Sequence, residues 1–368
     1  MSPLALVGCL FPAAMAVEVV RPPTDEALRA EWRRYVHAFV QADGRVIDRA
    51  GLDVSTSEGQ AYALARATWC DDRATFDRVL RWTLDNLQGG QAGALPAWQW
   101  GRRTDGSWGV LDPSPASDAD TWMAWALLRA GERWHARDYE DRARLLLDAI
   151  WQQETALVAG RRVVLPGPWA RGQAPLRVNP SYWLPFAWRR FATADPSHDW
   201  ATLVGDGYAL WDTCRSPSGI QPDWCWLDPD TGWPVPPPAG QERTVASGYE
   251  AFRVGWTLAA ELQWHGEARA RPHLEAWGRL ADTWSRGRPI PAVRDADGRA
   301  REPWGYLGLY GALLPAWAMV RPAIAADIYT EEIRAVRDAT PDPRAARDYY
   351  AHNWVWMGLA LWSGLATP

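Results

Sequence analysis

The sequence predicts an all-α fold, an (α/α)6 barrel in which helical hairpins form a ring with long loops and small hairpins at one end. Two observations carry this prediction. Apolar residues recur at helical spacing in about twelve segments along residues 24–365. No linker or change in composition divides that range, which indicates a single domain. Many helices joined by long connections favour a toroid of hairpins over a simple bundle.

The helices are predicted in order from this spacing. The first follows Thr24, because Leu28, Trp32 and Phe39 share one helical face. The others are predicted at 58–69, 73–88, 118–135, 138–154, 181–191, 199–213, 249–263, 272–285, 305–319, 329–337 and 344–363. The long connections, rich in Gly, Pro and Asp, are 89–117, 156–180, 215–246 and 286–304. Small hairpins are predicted within them from the apolar stretch Arg162–Leu165 and from the turns Asp105-Gly106 and Asp297-Gly298.

The composition narrows the class of function. The 368 residues carry a net charge of -5 and a pI near 5.8, which excludes a strongly basic nucleic-acid binder. Tryptophan is abundant, with 27 residues against 6 phenylalanines, and all 39 basic residues are arginine. Flat aromatic rings bind the apolar faces of sugars, so the tryptophans suit a carbohydrate-binding protein. The alternative is that tryptophan replaces phenylalanine in the core.

The chain opens with an apolar run, residues 4–16, that ends in Ala14-Met15-Ala16. This pattern is typical of a secretory signal and its cleavage site, and the run is too short to span a membrane. Residues 1–16 are therefore predicted to be a signal peptide, truncated or of lipoprotein type, and the protein to be exported to the periplasm or secreted. Leu6-Val7-Gly8-Cys9 resembles a lipoprotein cleavage box, so lipid anchoring through Cys9 is the alternative. No other segment is apolar enough for a transmembrane helix.

The remaining sequence patterns predict no cofactor and no metal. The sequence contains no P-loop, no GxGxxG after a strand, no HExxH and no GxSxG. Cys70, Cys214 and Cys225 follow the leader, and an odd number allows at most one internal bridge. A Cys214–Cys225 bridge would close a short loop and is left open, whereas Cys70 is expected to be a buried small residue.

Carboxylates occur at three predicted helix starts. Glu58 lies in the capping box Ser57-Glu58-Gly59-Gln60, and Glu250 in Ser247-Gly248-Tyr249-Glu250. Asp118 and Asp120 follow Ser117 in a related pattern, and Asn179-Pro180-Ser181-Tyr182 has an Asn cap with proline after it. Capping and the helix dipole alone explain one acid in a first turn, but two acids at 118 and 120 exceed what one cap requires.

A group of acids at one end of a toroid suits glycoside hydrolysis. That reaction needs a protonated carboxyl as acid and a carboxylate as base or nucleophile. A helix start lowers the pKa of a carboxyl, so Glu58 needs burial or a neighbouring carboxylate to stay protonated. Asp118 is the candidate neighbour.

These segments resemble glycoside hydrolase family 8. The nineteen residues from Ala116 to Trp134 fit that family's signature, and Ser57–Tyr62 resembles the block that carries its proton donor. Four further blocks follow in the family's order: Leu95-Pro96-Ala97-Trp98, Asn179-Pro180-Ser181-Tyr182, Pro222-Asp223-Trp224 and Tyr349-Tyr350. The resemblance covers about 30–360 and is greatest to the endoglucanases of bacterial cellulose-synthesis operons. It implies an (α/α)6 barrel, an inverting mechanism and a cleft for β-1,4-linked glucan.

The resemblance also implies roles for individual residues. Glu58 would be the general acid, and Asp118 would bind and distort the sugar at the cleavage point or, in another description, act as nucleophile. Tyr182 would help to hold the catalytic water, and Arg253 would orient the base while contacting the substrate subsite. The other implied substrate contacts are Trp98, Trp100, Asp120, Asp223 and Trp224.

One position departs from the family pattern. The block Ser247–Arg253 carries Glu250 where relatives have an aspartate as catalytic base. The longer side chain moves the carboxylate by about one C–C bond, and a misplacement near 1 Å costs on the order of 100-fold in rate. Either the backbone compensates and Glu250 is the base, or activity is reduced, or the base lies elsewhere, with Asp223 as the next candidate.

The predicted function is an inverting endo-β-1,4-glucanase acting on cellulose-like chains. Two alternatives stay open: a hydrolase of another β-glycan (chitosan, mixed-linkage glucan or xylan), and a glycan-binding protein whose chemistry is weakened by Glu250. We expect a monomer that binds β-1,4-glucan and no nucleic acid, with association with a cellulose-synthesis complex left open. The tryptophans expected to line the cleft are Trp98, Trp100, Trp169, Trp183, Trp224, Trp226 and Trp233, with part of the Trp122 and Trp125 face in the core.

Overall fold

The computed structural model describes residues 20–339 and 348–368, so the predicted leader with Cys9 lies outside the described residues. Its helices are α1 (Asp25–Phe39), α2 (Ser57–Cys70), α3 (Arg73–Leu87), α4 (Ser117–Trp134), α5 (Arg137–Glu154), α6 (Pro185–Ala194), α7 (Trp200–Thr213), α8 (Phe252–His265), α9 (Ala270–Arg286), α10 (Leu307–Val320), α11 (Pro322–Ile328), α12 (Ala335–Ala339) and α13 (Tyr349–Ser363). A π-helical turn, Tyr329–Arg334, joins α11 to α12.

These helices form two concentric rings. The inner ring runs α2, α4, α6, α8, α10, α13 and back to α2, and each inner helix packs against the next. The outer helices α3, α5, α7, α9 and α11 each pack on the inner helix before them, and α1 packs on α13. The predicted (α/α)6 barrel is confirmed.

Residue pattern decides which ring a helix joins. On α2 every residue from Gly59 to Cys70 is buried, as a helix enclosed on all sides requires. On α3 the buried residues, which include Phe76, Val79 and Leu87, lie toward one side, whereas Asp77, Arg81 and Asp85 are exposed. Such a one-sided helix can pack only on the outside of the barrel.

Prolines and caps move several helix boundaries from their predicted positions. The segment 181–191 divides into a 3-10 turn, Pro180–Tyr182, and α6, which begins at Pro185. The segment 329–337 belongs to a longer helical stretch that begins at Pro322. Helix α13 begins at Tyr349, with Asp348 as its N-cap, since the Asp348 side chain accepts the Ala351 backbone N–H at 2.9 Å.

Short strands fill the connections that enter the inner helices. They are β1 (Ser55–Thr56), β2 (Gln99–Arg102), β3 (Trp108–Asp112), β4 (Thr155–Val158), β5 (Arg161–Val164), β6 (Leu176–Val178), β7 (Cys225–Leu227), β8 (Val293–Arg294) and β9 (Ala300–Glu302). They pair antiparallel as β1-β2-β3, β4-β5, β6-β7 and β8-β9. Each lies between an outer helix and the next inner helix, so all crowd the end where inner helices begin, here called the mouth. The predicted hairpins are confirmed, with Gly106 at φ +85° and Gly298 at φ +87° in their turns.

Tryptophan fills the barrel axis. The largest fully buried side chains are all tryptophans: Trp32, Trp69, Trp122, Trp125, Trp183, Trp188, Trp200, Trp211, Trp256, Trp277, Trp317 and Trp354. We call Trp69, Trp122, Trp125 and Trp256 the tryptophan column, because their rings contact one another along the axis, as in the Trp69–Trp125 pair at 5.3 Å. Most of the abundant tryptophans are therefore core residues and do not line a sugar-binding surface.

Two tryptophans expected in the cleft are core residues instead. Trp183 is fully buried and donates its indole N–H to the Val164 carbonyl at 3.2 Å, and Trp226 is buried on β7. All three residues of β7, Trp226 among them, are buried, so neither tryptophan can contact a sugar in the cleft. The prediction is wrong for these two residues.

The three described cysteines are buried free thiols. Cys70 is the expected buried small residue, and Cys214 and Cys225 lie within hydrogen-bond contact of each other. No helix among the described residues is long and apolar enough to cross a membrane.

Candidate active site

Glu58 enters the mouth from the first turn of α2. The cap of this helix is Thr56, whose hydroxyl accepts the Gly59 N–H at 3.0 Å, so the predicted capping box with Ser57 as cap is wrong. Gln60 turns into the core, where it accepts the Val46 N–H at 2.6 Å and donates to Thr83 at 2.9 Å. Glu58 is thus free of any capping role.

Asp118 and Asp120 diverge from the start of α4. The helix begins at Ser117 without a side-chain cap, and Asp118 faces the mouth. Two positions on, about 200° around the helix, Asp120 is fully buried and faces the buried carboxyl of Glu154. The prediction that Asp120 binds substrate is wrong, because its side chain has no exposed surface.

Glu250 lies in the turn that leads into α8. The helix begins at Phe252, and Ser247 donates its hydroxyl to the Gln221 carbonyl at 2.8 Å, so no capping box forms here either. The Glu250 side chain is 32% exposed. Its carboxylate accepts a hydrogen bond from the Asn179 amide at 3.0 Å, which ties it to the predicted Asn cap of the 3-10 turn.

Arg253 joins the three carboxyl groups. Its Nη1 donates to Glu58 at 2.5 Å and to Asp118 at 2.9 Å, and its Nη2 donates to Glu250. Ser181 accepts from Nη2 at 2.8 Å and completes the shell. Because the Arg253 side chain is only 3% exposed, it acts on the carboxyls, and the predicted direct contact with substrate is not what the structure shows.

Burial places the acids in different protonation states. Desolvation, helped by the charges of Asp118 and Glu250 and opposed by Arg253, raises the pKa of Glu58 to about 8. Desolvation also raises the pKa of Asp118 to about 6, with Arg253 opposing it. At neutral pH Glu58 therefore holds a proton, although the Tyr62 hydroxyl, which donates to Glu58 Oε1 at 2.9 Å, lowers the pKa and partly opposes the effect of burial.

Aromatic residues form one wall of the mouth beside the start of α4. Trp98 and Trp169, each 40% exposed, share a cavity with Tyr182. The Tyr182 ring lies under the guanidinium of Arg253 at 5.2 Å, next to the three acids. The structure thus brings Tyr182 and Trp98 to the predicted site.

Two other predicted substrate contacts have protein neighbours. Trp100 packs on Trp82 and Trp108 at 5.2 and 5.3 Å, with Arg45 over its ring. Trp224 carries the guanidinium of Arg177 on its face at 3.7 Å. Both are only partly buried, so a role beside substrate stays a prediction.

The opposite wall contains residues that the sequence reasoning missed. Trp304 is 55% exposed and donates its indole N–H to the Tyr249 hydroxyl at 3.4 Å, beside the start of α10. Asn179, Ser181 and Tyr62 also contact the acid cluster, which consists of Glu58, Asp118, Glu250 and Arg253. Asn179 donates to Glu250, Ser181 accepts from Arg253 and Tyr62 donates to Glu58. The Asn179 and Ser181 contacts join parts of the chain far apart in sequence, so spacing gives no indication of them. Tyr62 instead lies one helical turn after Glu58 on α2, a spacing at which side chains meet.

Among the described residues no group of three or more His, Cys, Asp or Glu side chains could hold a metal ion. The acids at the mouth instead surround one guanidinium. A helical barrel with a protonated carboxyl, an ionisable partner and aromatic walls at its mouth defines a glycoside hydrolase.

The chain belongs to glycoside hydrolase family 8: residues 11–293 match the description "Glycosyl hydrolases family 8". An endoglucanase of Xanthomonas axonopodis pv. citri is 38% identical over 361 residues, which are 96% of this chain and 90% of the relative. An endoglucanase of Escherichia coli K12 is 34% identical over 288 residues, 77% of this chain and 76% of the relative. The crystal structure of an endo-1,4-D-glucanase from Vibrio fischeri superposes with a TM-score of 0.80 at 29% identity, covering 90% of this chain and 94% of that one.

Proposed function

We propose that the protein is an inverting endo-β-1,4-glucanase that hydrolyses cellulose-like chains. The observation that carries this proposal is the pairing of a protonated Glu58 with the exposed carboxylate of Glu250 on two nitrogens of one arginine. The names of the similar proteins, endoglucanase and endo-1,4-D-glucanase, support glucan as the substrate.

The two acids divide the chemistry between them. Glu58 gives its proton to the glycosidic oxygen as the bond to the anomeric carbon breaks. Glu250 takes a proton from a water molecule that attacks the same carbon from the opposite face, with the Tyr182 hydroxyl helping to hold that water. Asp118 stays close to the sugar and stabilises the positive charge that develops on its ring.

The contacts of Glu250 support its role despite the departure from aspartate. Its carboxylate reaches both Arg253 and Asn179, so the longer side chain ends within the acid cluster and not beyond it. This supports a working base over a weakened, binding-only protein.

The position of the aromatic walls supports internal cleavage. Trp98 and Trp169 lie near the start of α4, and Trp304 lies near the start of α10, on the opposite side of the six-helix ring. A glucan chain that contacts both walls passes over the acids and continues at each end. Such a cleft suits an endo-acting enzyme.

We further propose that residues 1–16 are a signal peptide and 24–365 the single catalytic domain of an exported monomer, periplasmic or secreted, that can work beside a cellulose-synthesis complex. The apolar run before Ala16 supports export. N-terminal sequencing of the mature protein from the periplasm and medium tests this. Cleavage after Ala16 is expected, and a mature chain that starts at a lipidated Cys9 contradicts it.

The test of function is release of reducing sugar from carboxymethylcellulose by wild type, Glu58→Gln and Glu250→Gln. Both variants are expected to lose at least about 1000-fold in kcat, because each lacks one of the two proton transfers. Glu26→Gln, an exposed acid on α1, is the matched control and is expected to match wild type. NMR of the first products is expected to show the α-anomer, and β-anomer would contradict inversion.

A further inference from the structure

The segment 246–251 carries the base but has no cap of its own. Helix α8 begins without a side-chain hydrogen bond at its N-terminus, and its cap position is Ala251. The first backbone N–H groups of a helix need acceptors, and a turn that lacks them is poorly fixed. The acceptor comes from another part of the chain.

Asp223 supplies that acceptor from 25 residues upstream. Its Oδ1 accepts the backbone N–H groups of Gly248 at 2.8 Å, Glu250 at 3.2 Å and Ala251 at 2.8 Å. Its own N–H donates to the Ala246 carbonyl at 2.7 Å. The side chain and backbone of Asp223 together thus bind both ends of the turn that carries Glu250.

Gly248 allows this close approach. A Cβ at this position would lie 3.0 Å from Asp223 Oδ2 and 3.1 Å from the Val293 side chain. The turn therefore packs directly on the carboxylate, with no room for a side chain between them.

We propose that Asp223 is a positioning residue: as a detached cap of α8, it holds the turn that aims Glu250 at the reacting water. The proposal rests on the proposed function, because it takes Glu250 as the base. It assigns Asp223 a role other than base or substrate contact. One oxygen of Asp223 is already bound to three amides, and Arg253, the centre of the acid cluster, binds Glu250 and not Asp223.

The protonation of Asp223 agrees with an acceptor role. Burial and the charge of Glu250 raise the pKa of Asp223 to about 7, while the three backbone hydrogen bonds oppose the rise. The neutral form keeps a carbonyl oxygen that still accepts these bonds. An asparagine, which has the same shape and one carbonyl oxygen, can therefore replace it.

The test compares Asp223→Asn, Asp223→Ala and Asp223→Ser on a soluble cello-oligosaccharide, with thermal unfolding measured for each. Asp223→Asn is expected to keep kcat within about fivefold of wild type. Asp223→Ala is expected to lose about 100-fold in kcat with little change in KM, because the turn drifts by about 1 Å. Asp223→Ser, with a shorter acceptor, is expected between the two and serves if the alanine variant does not fold.

Azide separates positioning from direct catalysis. A small anion can replace a missing base, so azide is expected to restore turnover to Glu250→Ala but not to Asp223→Ala. Restoration of Asp223→Ala by azide, or an asparagine variant as inactive as alanine, would make Asp223 the base and overturn the proposal. Wild-type kcat in Asp223→Ala would overturn it as well.

Asp228→Ala is the matched control. Asp228 also caps backbone N–H groups, those of Asp230 at 3.0 Å and Thr231 at 2.8 Å, but in an exposed turn that carries none of the three acids. It is expected to keep wild-type kcat. A wild-type enzyme that cleaves no glucan would instead refute the proposed function, so the two failures are distinguishable.

Discussion

Arg253 sets the chemistry at the scale of single residues. Three carboxyl groups around one buried guanidinium cannot all ionise without strong mutual repulsion. Burial and the neighbouring acids raise the pKa of Glu58 to about 8, above the value of about 6 for Asp118, so Glu58 keeps its proton, while the Glu250 side chain is 32% exposed. One arginine thus holds an acid and a base of different character in the same cluster.

The pH dependence of catalysis should reflect this arrangement. The pKa of Glu58 lies at about 8, and the acid must hold its proton to act, so kcat/KM is expected to fall tenfold per pH unit above about 8. The measurement is a pH profile on cellopentaose between pH 4 and 10. A basic limb that begins near pH 5 would contradict the protonated acid.

Replacing the acid should also change stability with pH. Because the folded pKa of Glu58 is raised from 4.5 to about 8, the stabilisation from its proton is full below pH 4.5 and is lost as pH rises through 8. Glu58→Gln has no proton to lose. Its free energy of unfolding relative to wild type is expected to be about 1–3 kcal/mol more favourable at pH 8 than at pH 5, and urea titrations at both pH values measure this.

At the scale of elements, a buried cation joins three helices. Arg66 on α2 lies against the rings of Trp32, Tyr35 and Trp356 at 4.9, 4.1 and 4.6 Å and donates to Asn353 at 2.8 Å. These rings belong to α1 and α13, so the contact closes the barrel where its first and last helices meet. Aromatic faces and the Asn353 amide oxygen stabilise the buried positive charge of Arg66, as a carboxylate does in an ion pair.

Lysine in place of Arg66 is expected to destabilise the fold. Arg66→Lys keeps the charge but loses the flat guanidinium that stacks on the rings, so we expect a loss of about 2–4 kcal/mol in the free energy of unfolding. Chemical denaturation measures it. Arg33→Lys, on the exposed face of α1, is the control, and equal losses in the two variants would contradict a specific role of the ring contacts.

The helix starts show where sequence reasoning reached its limit. Periodicity predicted the helices and their order, because apolar faces are local properties of the chain. The caps were wrong at Ser57 and Ser247, since capping spacing matches any suitable residues, whereas Thr56 and the distant Asp223 hold the real contacts. The resemblance predicts that Glu58, Asp118 and Glu250 come together. It does not predict that Asn179 and Ser181 contact this cluster, because those contacts depend on tertiary packing.

At the scale of the whole molecule, the chain's last residues close the end opposite the mouth. Trp69 donates its indole N–H to the Thr367 carbonyl at 3.0 Å and Trp264 to the Ala366 carbonyl at 3.2 Å. Leu365 and Ala366 are buried against the barrel. The mouth and this closure lie at different ends of the same inner helices.

Deleting residues 364–368 should therefore affect stability more than catalysis. Loss of the Leu365 and Ala366 contacts and of two indole hydrogen bonds is expected to cost about 3–5 kcal/mol in the free energy of unfolding. Circular dichroism melts measure this loss, and kcat at 20 °C is expected to stay within twofold. A truncated chain with normal melting but reduced kcat would contradict the separation of the two ends.

The tryptophan column has an optical consequence. Indoles 5.3–5.5 Å apart, as in the Trp69–Trp125 and Trp122–Trp125 pairs, exchange excitation energy, so the core emits as one group of short wavelength and low polarisation. Trp98 and Trp169 meet water at the cleft and emit separately, at longer wavelength. A bound sugar chain that covers them changes only the red part of the spectrum. One fluorescence scan therefore separates occupancy of the cleft from melting of the barrel.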